Sequence, residues 1–126
     1  MNKETISTKN APAAIGPYSQ GVQFGNLILT SGQLPMDPQS GELVADIEGA
    51  TKQSLDNVKA ILESAGSSMD KIVKIVVFLR DMNDFVAMNT VYATYFPSNP
   101  PARSAVQVAR LPKDAILEIE AIALAE

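Results

Sequence analysis

Ile72-Val73-Lys74-Ile75-Val76-Val77-Phe78-Leu79 is the stretch that decides the fold. It is rich in β-branched residues and bounded by polar ones, the composition of a strand. Side chains alternate along a strand, so Val73, Ile75, Val77 and Leu79 share one face and Ile72, Lys74, Val76 and Phe78 the other. Both faces are mostly apolar, the pattern of a strand covered on both sides. Upstream, between Asp46 and Ala65, the residues Thr51, Leu55, Val58, Leu62 and Ala65 fall at helical spacing, and Gly66 ends the run. Downstream, Asn83 to Phe96 predicts a second helix, with Asn83 as its cap, Phe85, Met88, Tyr92 and Tyr95 on one stripe, and Pro97 as its stop.

Farther out, Gly21 to Phe24 and Leu27 to Ser31 read as strands joined by a Gly25-Asn26 turn, and Glu4 to Ser7 alternates only weakly. Met36 to Gly41 has loop composition, and Ser98 to Pro101 is a proline-rich connector. Arg103 to Ala109 and Ala115 to Leu124 read as the last two strands, joined through Leu111-Pro112-Lys113-Asp114. The expected order is β-β-α-β-α-β-β, an α+β fold in one domain spanning residues 1–126, with no internal repeat or linker. Two helices cover one face of such a sheet. The other face is apolar as well, so a further subunit is expected to shield it.

Composition leads to the same expectation. Hydrophobic residues make up 46% of the 126-residue chain and charged ones 19%, below the roughly 25% charged residues usual for a soluble domain. Scaling with mass gives a monomer about 6,500 Å² of surface, and a chain this poor in charge is expected to hide part of it in an oligomer. Ten Lys and Arg against 14 Asp and Glu give a net charge of −4, which offers nothing to attract DNA or RNA. No apolar run approaches the length of a membrane span, and the polar stretch from Met1 to Asn10 has no apolar signal core, so a cytoplasmic protein is expected.

The chain contains no His and no Cys. That removes the Ser-His-Asp triad, thiolate nucleophiles, imidazole bases and Cys/His zinc sites. Phosphate-binding loops and dinucleotide fingerprints are also missing, so no metal and no organic cofactor are expected. Chemistry falls to carboxylates, Arg, Lys, Tyr, hydroxyls and backbone.

Glu118 and Glu120 share a face of the last strand with Ile116, Ile122 and Leu124. Spacing alone is compatible with a solvated acidic edge or with a desolvated carboxylate able to activate water. Arg103 opens a strand of small residues and reads either as an ion-pair partner or as a bidentate clamp for a carboxylate ligand. Tyr18 follows a rigid Gly16-Pro17 bend and could wall a pocket. Thr30-Ser31-Gly32-Gln33 reads as a turn or as a close approach to a ligand. Asn89 lies inside the second helix, where it faces water or serves a hydrogen bond. Arg110 and Lys113 read as solvated, and the aromatic and Met stripe as core.

Together, Ala11 to Gln20 (APAAIGPYSQ), Thr30-Ser31-Gly32-Gln33, Pro101-Ala102-Arg103-Ser104, Val108 to Asp114 (VARLPKD) and Glu118 to Ala123 (EIEAIA) resemble the Rid (YjgF) family of reactive intermediate deaminases, in its RidA branch. The resemblance runs from about Asn10 to Ala123. It implies a chorismate-mutase-like α+β fold assembled as a homotrimer, with the sheets meeting in a central barrel and a cleft at each subunit interface. It also implies hydrolysis of 2-aminoacrylate, 2-iminopropanoate and 2-iminobutanoate to 2-oxo acids and ammonia, without cofactor. Arg103 would then clamp the substrate carboxylate and Glu118 position the attacking water. Tyr18, Ser31, Gly32, Asn89 and Ala105 match substrate-binding positions, Ala105 standing where many members have Cys. The Phe96 to Pro101 connector is shorter than in some members. Two other functions remain open at this point: a non-catalytic regulatory protein that binds 2-oxo or amino acids, and a ribonuclease or translation inhibitor, which the acidic charge disfavours.

Overall fold

The chain forms strands β1 (Lys3–Ile6), β2 (Gly21–Phe24) and β3 (Leu27–Thr30), helix α1 (Ile47–Ser64), strand β4 (Ile72–Leu79), helix α2 (Phe85–Tyr95), and strands β5 (Ala102–Gln107) and β6 (Leu117–Leu124). The computed structural model describes residues 2–126, so Met1, the start of the polar N-terminal stretch, lies outside them. The six strands make one mixed sheet in the order β1-β2-β3-β6-β4-β5. Only β4 and β5 pair in parallel, with α2 as the crossover between them. The α+β class and both helices follow the expected layout.

Helix α1 starts where Asp46 accepts a hydrogen bond from the Gly49 amide, and it ends before Gly66, whose φ of 84° suits glycine. Its buried residues include Thr51, Leu55, Val58 and Leu62 of the expected stripe. These pack on Ile28, Ile75, Val77, Leu79, Leu117 and Ile119, all fully buried. A large aliphatic side chain buried this way contributes about 1.5–3 kcal/mol. The core therefore lies between the helices and one face of the sheet.

Three details depart from the sequence reading. An irregularity in the β4–β6 register between Ile72 and Lys74 breaks the alternation. Ile72 then pairs with buried Ala123 and turns to the core, while Val73 is left 42% exposed. The residue capping the approach to the second helix is Asp81, not Asn83: the Asp81 carboxylate accepts from the Asn83 amide at 2.8 Å and opens a 3-10 turn that leads into α2. Strand β1 is a full member of the sheet, paired from Lys3↔Phe24 to Ile6↔Gly21, although only Ile6 of its four residues is buried.

The face away from the helices carries Val22, Phe24, Leu27, Leu29, Val76, Phe78 and Ile122. None of them is buried, and Phe24 is 40% exposed. The chain presents 6981 Å² of surface, above the roughly 6,500 Å² expected for its mass.

Candidate active site

The residues singled out from the sequence fall into two groups, one on each face of the sheet. Arg103 is in register with Ile75 of β4 and Ala105 with Val77, so both point to the helix side. There the Arg103 guanidinium donates from Nη1 to Asn89 Oδ1 at 2.6 Å. Its Cζ lies 4.7 Å from the ring centroid of Tyr92 and 5.5 Å from that of Phe85. Phe85, Asn89 and Tyr92 are spaced by four and three residues, which brings all three to one side of α2. The cation has no carboxylate partner: among the described residues the ion pairs are Lys52 with Asp56 and Arg110 with Asp114. Ala105 packs against the core.

Glu118 is in register with Phe78, on the opposite face. It sits over the backbone of Gly32, so close that a Cβ there would lie 2.6 Å from Glu118 Cδ and 2.7 Å from Oε2. This approach is possible because β3 and β6 separate after Leu29↔Ile122 and meet again at Gln33↔Ile119. Within the gap, Thr30 Oγ1 accepts the Ala121 amide at 3.1 Å, which keeps the buried backbone satisfied. Burial, and secondarily the charge of Glu120, push the Glu118 carboxyl above its usual range. Of the two readings left open by spacing, Glu118 fits the desolvated carboxylate.

Tyr18 and Ser31 complete this second group. The Ser31 hydroxyl donates to the Ser19 carbonyl at 2.6 Å, and the Ser31 amide donates to Gln20 O at 2.8 Å. The buried Gln20 amide donates to the carbonyls of Thr8, Ala11 and Pro12. These bonds fix the Gly16-Pro17-Tyr18 bend beside Gly32, with Tyr18 49% exposed. Tyr18, Gly32 and Ile15 line a small cavity of about 50 Å³ that Lys113 also borders. Lys113 is exposed as expected, yet it is also a wall of this cavity, which the sequence reading missed. Arg110 is exposed and paired with Asp114 at 2.9 Å.

The structure thus groups Arg103, Asn89 and Ala105 on one face, and Tyr18, Ser31, Gly32 and Glu118 on the other. A single chain does not bring the two groups together. Phe85 and Tyr92 join the Arg103 group from a stripe that reads as ordinary core in sequence. Their helical spacing to Asn89 is the signal that could have found them. Among the described residues, no three acidic side chains converge as a metal site would require, and no helix is long and apolar enough to cross a membrane.

Comparison with known proteins gives a consistent result. The chain is 56% identical to the 2-iminobutanoate/2-iminopropanoate deaminase of Escherichia coli strain K12, over 96% of this chain and 97% of that protein. It superimposes on E. coli TdcF with bound serine at a TM-score of 0.93 and 52% identity, covering 96% of this chain and 98% of the other. Against the E. coli YjgF gene product the TM-score is 0.92 and the identity 55%, over 98% and 99% of the two chains. With residues 8–125 matching the endoribonuclease L-PSP family, the fold and near-full-length relatives agree: this chain belongs to the YjgF/Rid family.

Proposed function

We propose that the protein is a hydrolytic deaminase that converts 2-enamine and 2-imine acids, such as 2-iminopropanoate and 2-iminobutanoate, to 2-oxo acids and ammonia. The observation that carries this reading is the Arg103 guanidinium, fixed by Asn89 and two aromatic rings but left without a carboxylate of its own. An ion-pair role would require a protein partner. A clamp requires the cation to be held and unpaired, so that a ligand carboxylate can take two parallel N–H bonds. The name of the 56%-identical E. coli deaminase supplies the substrate class, and the serine bound to TdcF supports recognition of a small amino-acid-like carboxylate.

The chemistry asks little of the protein. Imines hydrolyse in water, so positioning and one acid-base group suffice. Water held by Glu118 adds to C2 of the protonated imine while Glu118 takes its proton. That proton passes to the nitrogen of the tetrahedral amino alcohol. The C–N bond then breaks while the ionised Glu118 takes the hydroxyl proton and that oxygen becomes the carbonyl, releasing ammonia and the 2-oxo acid; Glu118 gives the proton up to solvent before the next turnover. A carboxyl whose proton affinity is raised by burial suits both halves of this transfer. Ser31 holds the bend that presents Tyr18, and the glycine at 32 lets Glu118 approach the backbone.

Because Arg103 and Glu118 occupy opposite faces of the sheet, this mechanism calls for a site shared between copies, Arg103 from one and Glu118 from its neighbour. The exposed apolar face and the relationship to Rid proteins support a homotrimer. The experiment generates 2-iminobutanoate in situ with a threonine dehydratase and follows 2-oxobutanoate release. Acceleration by the wild type and its loss in Arg103→Ala are expected. No acceleration, or equal acceleration by the variant, removes the proposal. A net charge of −4 disfavours the ribonuclease reading, because RNA binding depends on cationic phosphate contacts.

A further inference from the structure

We propose that Tyr92 is a positioning residue, its ring face fixing the plane and charge of the Arg103 guanidinium for a carboxylate ligand; this rests on Arg103 being the clamp. The Tyr92 ring centroid lies 4.7 Å from Arg103 Cζ, nearer than Phe85 at 5.5 Å. An aromatic face at this distance attracts a cation without occupying any of its N–H groups. A carboxylate in the same place would also hold the cation, but it would neutralise it and consume the donors the ligand needs. Asn89 accepts one N–H, and among the described residues no other hydrogen-bond acceptor or carboxylate engages the rest of the fork. The combination holds an arginine in place and leaves it unpaired.

Two further observations show that the ring, rather than the hydroxyl, is the working part. Tyr92 is 7% exposed, and its phenol oxygen is buried with no hydrogen-bond partner among the described residues. A buried hydroxyl left unbonded is a cost to the fold, so it does not explain the residue. Phe96 meets the ring with centroids 4.8 Å apart and planes inclined by 42°, propping it under the guanidinium. Burial also pushes the phenol's pKa above its ordinary value, against the opposing pull of Arg103, so the ring stays neutral.

The test places mono-, di- and trifluorinated phenylalanine at position 92, which drains electron density from the ring face with little change in shape. KM for the imine and Kd for 2-oxobutanoate are expected to rise stepwise, by about ten-fold across the series, with kcat changing much less. Tyr92→Phe is expected to stay within about two-fold of wild type, because no hydrogen bond is lost. Tyr92→Leu, which keeps apolar bulk but has no ring, is expected to match or exceed the trifluorinated protein in KM. Purely structural packing would leave KM and Kd flat across the fluorinated series, and that result overturns the proposal. So does Tyr92→Phe being as damaging as Tyr92→Leu. A wild type that binds 2-oxobutanoate without turning over the imine removes the deaminase reading and leaves the Kd series to decide the role of Tyr92. A wild type that does neither overturns both.

Discussion

The Arg103 guanidinium donates to Asn89 Oδ1 at 2.6 Å, a bond that ties edge strand β5 to helix α2 and leaves the cation unneutralised. Neutrality of the acceptor is the important property. An amide orients the fork, whereas a carboxylate in the same place would compete with the substrate. Asn89→Asp is nearly isosteric and installs that competitor. It is expected to raise KM for the imine more than ten-fold, roughly the effect of 1.4 kcal/mol or more, with Tm unchanged or higher. Steady-state kinetics beside thermal unfolding checks this, and an unchanged KM would contradict the clamp.

Gly32 and Glu118 form the second such relationship, one defined by missing atoms. A methyl group at position 32 would sit 2.6 Å from Glu118 Cδ, inside the distance any real contact tolerates, so the carboxylate must swing away. Gly32→Ala is expected to lower kcat by about 10²-fold, the lower end of what one placed acid-base group supplies. The proposed carboxylate clamp, Arg103, lies on the other face, so the Kd for 2-oxobutanoate should change by less than about three-fold, well under one factor of ten. Calorimetry and turnover on the same preparation separate the two effects.

The raised proton affinity of Glu118 gives a pH signature. Its carboxyl must be ionised to accept a proton from water, so kcat/KM rises with pH through its shifted pKa. The Glu120 charge is the second cause of the shift. Glu120→Gln removes it, and the acidic limb should move to lower pH. Stability carries the opposite sign. A carboxyl whose folded pKa exceeds its unfolded value binds the proton more tightly when folded, so stability declines as pH rises from the ordinary 4.5 through the shifted value. Glu118→Gln removes this ionisation penalty. It should lose activity at neutral pH while melting no lower than wild type, as a paired measurement of rate and Tm would establish.

Much of this architecture is legible in the sequence because it is written in periodicity. The α1 stripe from Thr51 to Leu62 and the apolar run of β4 are strong local signals, and they fix the class and the layers. The bulge at Ile72 and Lys74 is not legible, because alternation continues through it in the sequence and only pairing with β6 reveals it. Strand β1 escapes for the opposite reason: three of its four residues face solvent, leaving one apolar side chain to mark it. At the site, the motifs name the residues but not their faces. Whether Arg103 and Glu118 point the same way depends on Ile75↔Arg103 and Phe78↔Glu118, and register is a long-range property. Phe85 and Tyr92 look like core because in part they are core; their contact with a cation appears only once β5 is laid beside α2.

The placement of Arg103 and Glu118 on opposite faces leads to a test of where the site lies. If each site draws its arginine from one chain and its glutamate from a neighbour, Arg103→Ala and Glu118→Gln are each inactive alone but complementary when mixed. After subunit exchange at equal concentrations, a junction is intact only when a Glu118→Gln chain supplies the arginine and an Arg103→Ala chain supplies the glutamate. Random closed trimers satisfy both conditions at about one quarter of junctions. The mixture should therefore recover about a quarter of wild-type activity, in particles with three times the chain's 13.4 kDa mass. Were the whole site contained in one chain, every chain in the mixture would carry one lesion and no activity would return. Replacing Ile122 with Asp on the exposed apolar face should block recovery as well, since it places a charge on the face proposed to join the copies.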